Sequence, residues 1–295
     1  MRILHLDSGP EMRGGQRQVL RLIEGLRSLG HRNVLLARAG SPLLAEAQRR
    51  GLATGDWNLP SVMKQSRKAD ITHAHDARSH AAAAVSFAPR LVVSRRVAFP
   101  VRRHWYSRWK YKRAVHYIAV SEHVKRVLIE GGVAPSRVAV VYDGVEMQPQ
   151  STGSEIVIPY SADPAKAMDL AVESVRLAGF PARVSRDLEK DLPHAGLFVY
   201  LTHSEGLGSA VLLAMAAGVP VIASNVGGLP EIIEPERTGL LTENVRDDVA
   251  RAVRRLIGDR ALAQSLGAQA RCWVQQRFSV DRMIQGTLRV YESVR

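Results

Sequence analysis

Residues 202–224, THSEGLGSAVLLAMAAGVPVIAS, hold the densest set of groups that could do chemistry. An apolar run at 197–201 reads as a strand, and the turn after it carries an acid, Glu205, followed by Gly206, Leu207, Gly208 and Ser209 at the start of a helical stretch. Glycines in such a turn let the backbone approach a ligand closely, and the free N–H groups of a first helical turn form a site for a phosphate. In an open α/β sheet, ligands bind at the carboxyl ends of strands. By position alone, Glu205 reads as a helix N-terminal acid favoured by the dipole.

Three other places carry candidate chemistry. Gly14 and Gly15 open a helix after the first strand, which repeats the arrangement of strand, glycine loop and helix. In His73-Ala74-His75-Asp76 the two histidines would share one strand face, so metal ligation has to be weighed beside a structural hydrogen-bonding role. The sequence identifies no third ligand, and no metal is expected. Lys166 lies just after Asp163-Pro164, a good N-cap and first-turn pair, and by position alone reads as a solvated lysine at a helix start.

The elements that must position these residues alternate between short apolar runs and amphipathic stretches, the pattern of a parallel α/β protein. Strands are predicted at 3–6, 33–36, 70–72, 91–93, 117–120 and 138–141, with helices between them; the clearest helix is 19–29, stopped by Gly30. Residues 144–155, GVEMQPQSTGSE, have the composition of a linker. Beyond it, strands are predicted at 156–158, 182–184, 197–201, 219–223 and 239–241, and helices at 164–177, 208–217, 247–257, 260–278 and 281–294. The expected organisation is a lobe at 1–146, a second lobe at 154–278, and a helix at 279–295 that crosses back to the first.

Composition narrows the class further. With 46% hydrophobic and 23% charged residues the chain is an ordinary globular protein, and its 295 residues suit two lobes. One cysteine, Cys272, excludes an internal disulfide and is expected to be buried. The start, MRILHL, reads as a strand rather than a leader, so a cytoplasmic protein is expected. The net charge of +13 concentrates in 95–113, RRVAFPVRRHWYSRWKYKR. Arg102, Arg103, Trp105, Arg108, Trp109 and Lys110 could lie on an anionic membrane surface, which would place the protein on the inner face of the cytoplasmic membrane. The block equally reads as a solvated helix with its aromatics turned inward. No nucleic-acid-binding signature accompanies the charge.

Glu205 to Ser209, with Gly218-Val219-Pro220-Val221, Gly227-Gly228-Leu229-Pro230-Glu231 and Thr238-Gly239-Leu240, resembles the donor lobe of the family 4 retaining glycosyltransferases of GT-B fold. The loop at 12–15, Gly30-His31, His73 to Asp76, and the stretch from Ala119-Val120-Ser121-Glu122 to Asp143-Gly144-Val145 resemble the rest of that family in order. The fold implied is GT-B: two Rossmann-like lobes with parallel sheets facing across a cleft, the C-terminal one shortened. The resemblance implies a nucleotide-diphosphate sugar as donor substrate and no cofactor. Glu205 would contact donor-sugar hydroxyls, Gly206, Leu207, Gly208 and Ser209 would face sugar and phosphate, Lys166 would neutralise the diphosphate, and His75 would face the sugar from the other lobe, with Gly14 and Gly15 near the diphosphate. No Asp-x-Asp pair is present, so metal-independent chemistry is implied.

Three departures stand out. The family's second motif glutamate is Leu213 here, its arginine beside the lysine is Ser161, and the stretch between 177 and 197 lacks a strand-helix unit that helps to wall the base; Arg186 is the nearby candidate for that wall. The implied function is sugar transfer to a cell-envelope glycan or a lipid-linked acceptor. The alternatives are a non-catalytic GT-B-like binding protein at the membrane surface, or a sugar-nucleotide epimerase.

Overall fold

The computed structural model describes residues 1–101 and 104–295; Arg102 and Arg103 of the basic block lie outside the described residues. The chain divides into two compact units, Met1–Gly144 with Val280–Arg295, and Val145–Ser279.

The first unit runs β1 (Arg2–Asp7), α1 (Gly14–Ser28), β2 (Arg32–Ala37), α2 (Pro42–Arg49), β3 (Thr54–Asp56), α3 (Leu59–Ser66), β4 (Ile71–Ala74), α4 (Ala77–Val85), β5 (Leu91–Arg95), α5 (Trp105–Arg113), β6 (His116–Ala119), α6 (Glu122–Glu130) and β7 (Val138–Val140). Its sheet is parallel, ordered β3-β2-β1-β4-β5-β6-β7. The second unit runs β8 (Glu155–Pro159), α7 (Met168–Leu177), β9 (Arg183–Ser185), α8 (Leu188–Asp191), β10 (Ala195–Tyr200), α9 (Ser209–Ala216), β11 (Val221–Ser224), α10 (Leu229–Ile232), β12 (Leu240–Thr242), α11 (Arg246–Gly258) and α12 (Arg260–Arg277). Its parallel sheet is ordered β12-β11-β10-β8-β9. The last helix, α13 (Val280–Ser293), belongs to the first unit.

Strands buried on both faces explain the continuous apolar runs. In the first unit, Ile3, Ile71 and Val92 of adjacent strands pack against Leu22 and Leu26 of α1 and against Met283, Ile284 and Leu288 of α13. In the second, Ile156, Ile158, Leu197, Val199 and Ile222 pack against Ala171 and Val175 of α7 and Val249 and Val253 of α11.

Three differences from the sequence reading have physical causes. The helix expected at 164–177 is broken: Pro164–Lys166 form a 3₁₀ turn, Ala167 takes the left-handed conformation (φ 40°), and the α-helix starts at Met168. The short stretch between α7 and β10 builds one three-residue edge strand, β9, and the second sheet has five strands where the first has seven. Cys272 is exposed, not buried: the face of α12 that meets the core carries Leu266, Ala270 and Val274, and Cys272 points away from it.

Candidate active site

Each sheet has one point where strand order reverses, and there the loops leaving two neighbouring strands part to open a crevice at the carboxyl ends. In the second sheet that point lies between β8 and β10. Lys166 follows β8 and Glu205 follows β10, so residues 39 apart in sequence meet: Lys166 Nζ donates to Glu205 Oε2 at 2.7 Å and to the Tyr200 hydroxyl at 3.1 Å. The Tyr200 hydroxyl donates to the same carboxylate oxygen. Burial, then the Glu205 charge, push the Tyr200 phenol well above its ordinary range, so it stays a donor.

The backbone is arranged to hold this cluster. The Ala165 carbonyl accepts from the His203 amide at 2.8 Å and from the Thr202 hydroxyl at 2.9 Å, which ties the 3₁₀ turn to the end of β10. Next to this tie Ala167 takes the left-handed conformation (φ 40°), which costs a non-glycine residue on the order of 1 kcal/mol and persists where the surroundings determine it. Gly208, at φ 109°, caps α9, and a Cβ there would come within 2.6 Å of Leu229 Cδ2. Gly227, at φ 60°, passes so close to Glu205 that a Cβ would lie 2.1 Å from its carbonyl oxygen. The Gly227-Gly228 segment therefore buttresses the acid-bearing turn.

Of the residues read from the sequence, Glu205, Gly206, Leu207, Gly208 and Ser209 are contiguous at this edge, with Ser209 exposed. The Gly206 amide donates to Glu205 Oε1 at 3.0 Å. Arg186 stacks on Tyr160, its guanidinium carbon 3.6 Å from the ring centroid, beyond the ends of β9 and β8. Leu213 is half-buried, unlike its buried neighbours Val211, Leu212 and Met215, and lies one turn beyond Ser209. Tyr200 was not singled out in the sequence, where it reads as the last apolar residue of a strand. A cavity of about 1260 Å³ lies at the other end of this sheet, lined among others by Ser151, Glu155, Phe180, Arg183 and Arg260, and holds none of these groups.

In the first sheet the order reverses between β1 and β4. Gly14 and Gly15 begin α1 after β1, and His75 and Asp76 follow β4. Asp76 caps α4, accepting from the Arg78 and Ser79 amides, and also accepts from the Ser8 amide at 2.7 Å and the Ser8 hydroxyl at 2.8 Å. Arg96, beside Gly15, holds Asp143 at 3.1 Å. His75 sits in a buried group of three: ring nitrogens of His5, His73 and His75 lie within 4.8 Å of one another. Burial comes first in holding all three below the ordinary imidazole range, His5 at about 4, and the Arg96 charge adds to this for His73 and His75. His5, the third ring, was missed because a histidine inside an apolar strand reveals nothing of its neighbours across the sheet.

The basic block is divided. Trp105 is 80% exposed and Arg108 is exposed, whereas Trp109 and Lys110 are half-buried; Trp109 stacks on Tyr106, and Tyr111 stacks on Tyr117 in the interior. No helix among the described residues is long and apolar enough to cross a membrane.

The family described as Glycosyltransferase Family 4 matches residues 12–148, and that described as Glycosyl transferases group 1 matches residues 170–273. The chain belongs to the family 4 glycosyltransferases. This family 4 chain is 46% identical, over 80 residues, to the GDP-mannose-dependent alpha-(1-6)-phosphatidylinositol monomannoside mannosyltransferase of Mycobacterium tuberculosis, a match covering 27% of this chain and 21% of that one. It is 25% identical over 210 residues to an uncharacterized glycosyltransferase of Methanocaldococcus jannaschii (60% and 59% covered), and 35% identical over 105 residues to the N-acetyl-alpha-D-glucosaminyl L-malate synthase of Bacillus anthracis (35% and 27%). It thus spans less than two thirds of the length of each. The fold is that of Anabaena HepE solved in complex with UDP, with a TM-score of 0.87 at 17% identity over 99% of this chain and 100% of that one. Sucrose-phosphate synthase from Thermosynechococcus elongatus shares it at a TM-score of 0.75 and 16% identity, covering 99% and 98%.

Proposed function

We propose that this chain is a retaining glycosyltransferase that moves a sugar from a nucleoside-diphosphate sugar to a cell-envelope glycan or a lipid-linked acceptor. The observation that carries the reading is the pairing of Lys166 with Glu205 at the strand-order reversal of the second sheet, beside the N-terminus of α9. As the C1–O bond of the donor breaks, the electron pair passes to the diphosphate oxygen. A lysine and fixed N–H dipoles there stabilise the charge as it grows, where preorganised electrostatics helps most. Glu205, released by Lys166 toward the phosphates, accepts hydroxyls of the sugar. The acceptor oxygen bonds to C1 and passes its proton to the departing diphosphate oxygen. No metal or cofactor takes part in this reading. Gly14, Gly15 and His75 of the first unit are proposed as ligand-facing residues, and Arg186 on Tyr160 as the residue that meets the base.

The relatives' names point to UDP and GDP carriers, so the test is a panel of UDP- and GDP-sugars with release of nucleoside diphosphate as the readout. Slow release that falls in Lys166→Ala and Glu205→Gln supports transfer chemistry. Isomerised sugar without release would make the chain an epimerase, and no binding of any nucleotide sugar would make it a non-catalytic member.

For the basic block we propose contact with an anionic membrane surface, supported by Trp105 at 80% and Phe99 at 65% exposure beside exposed Arg108 and Lys112. Sedimentation with anionic vesicles at low salt, lost as salt is raised, supports it; equal recovery with neutral vesicles contradicts it.

A further inference from the structure

Three adjacent strands carry a line of polar groups through the apolar face that α1 and α13 cover. Asn33 on β2 pairs with Ile3 of β1; His5 lies two residues beyond Ile3 and pairs with His73 of β4; His75 lies two residues beyond His73. Each step moves two residues toward the carboxyl edge on the same face of the sheet.

Hydrogen bonds along this line run in one direction. The Asn33 Nδ2 group donates to the His31 carbonyl at 3.1 Å, which turns Oδ1 toward His5 Nε2, also at 3.1 Å. A carbonyl oxygen only accepts, so His5 Nε2 bears the hydrogen. Neutral His5 then has a bare Nδ1. Facing it at 3.0 Å is His75 Nε2, which must donate. Neutral His75 is thereby left with a bare Nδ1, and that atom is buried with no hydrogen-bond partner. A buried acceptor without a donor is costly, by an amount comparable to a lost hydrogen bond.

We infer that Asn33 and His5 are positioning residues that fix the tautomer of His75, so that its Nδ1 presents a lone pair to a hydroxyl of the bound ligand. On the function proposed above, on which the identity of the ligand rests, that hydroxyl belongs to the donor sugar. The trio is not arranged for a metal. Both ring nitrogens of His5 are engaged, and so are both of His73, with the Tyr291 hydroxyl at 2.7 Å and the Ser94 hydroxyl at 2.8 Å. A cation would have to displace a partner from each.

The test reads the tautomer directly in the full-length, ligand-free chain with ¹⁵N-labelled histidine, from two-bond couplings between ring protons and nitrogens near neutral pH. His75 should appear as the Nε2–H form in the wild type. In Asn33→Leu, where nothing orients His5, an Nδ1–H population of His75 should appear; in Asn33→Asp, whose carboxylate only accepts, the Nε2–H form should persist. With UDP-glucose and GDP-mannose as probes, Asn33→Leu should weaken nucleotide-sugar binding roughly two- to tenfold, the range of a neutral hydrogen bond, and leave the affinity for bare UDP or GDP unchanged. An Nδ1–H wild-type His75, a single unchanged tautomer in Asn33→Leu, or a zinc ion retained through chelator treatment would overturn the inference. The wild-type spectrum decides even if Asn33→Leu does not fold. Because the tautomer is read without ligand, it can stand while the proposed function fails, and the reverse.

Discussion

The polar clusters of the two units solve opposite problems. At the edge of the second sheet, Lys166 and Glu205 form an ion pair in a half-buried setting, each bound by the other and by Tyr200. Within the first, three histidines are kept neutral by burial, and polar neighbours satisfy all but one of their ring nitrogens. A charged pair can exchange its partner for a charged ligand, because the lost attraction is replaced. A neutral, aligned ring offers a single directed acceptor. The first arrangement suits a diphosphate and the second a hydroxyl.

Acid separates the two most strongly. His5 and His80 are held by burial at about 4 and about 3, below the ordinary 6.5, so the unfolded state binds more protons than the folded one between those values and 6.5. Stability is full above pH 6.5 and is lost as pH falls. These two residues alone withdraw about 3 kcal/mol between pH 6.5 and pH 5, with His73 and His75 acting in the same direction. Asp7, raised by burial and by Asp76, works against the fall. The second unit's histidines, His194 and His203, are exposed. Hydrogen exchange at pH 5 against pH 7 should therefore show protection lost in residues 1–144 first; equal loss in both units would erase the contrast.

Removing the cation of the second cluster is the next largest effect. Lys166→Ala should lower turnover by roughly 10² to 10³, as loss of one transition-state stabiliser does, with kcat falling more than KM rises. Tyr200→Phe should cost about 1.5 to 3 kcal/mol in denaturant unfolding of the second unit, since it strips a hydrogen bond from a charged group, while sparing more activity than the lysine variant. The smallest effect expected is a gain. Leu213→Glu, half-buried one turn beyond Ser209, should leave the melting temperature nearly unchanged and tighten nucleoside diphosphate binding about tenfold, the worth of a charge-assisted hydrogen bond. A large drop in melting temperature without tighter binding would put Leu213 in the core.

Legibility in the sequence followed the same division. Glu205, Lys166 and His75 could be picked out because each lies in a short stretch whose glycines, caps or strand end announce a loop at a sheet edge, and the short span between α7 and β10 was visible as a shortage of residues. Tyr200, Asn33, His5 and Tyr291 could not, since their meaning depends on which strands or helices become neighbours; His73 and Tyr291 are 218 residues apart. The left-handed Ala167 was hidden for a local reason. Alanine favours helix, whereas the turn is held in part by long-range ties from Thr202 and His203 to Ala165.

The most direct test of this division of labour is calorimetric titration of wild type, Lys166→Ala and His75→Ala with a bare nucleoside diphosphate and with the matching nucleotide sugar, UDP against UDP-glucose and GDP against GDP-mannose. Lys166→Ala should weaken both members of the pair, whereas His75→Ala should leave the bare diphosphate unchanged and weaken only the sugar-bearing ligand. Undiminished diphosphate binding in a folded Lys166→Ala, or equal losses for both ligands in His75→Ala, would contradict the account.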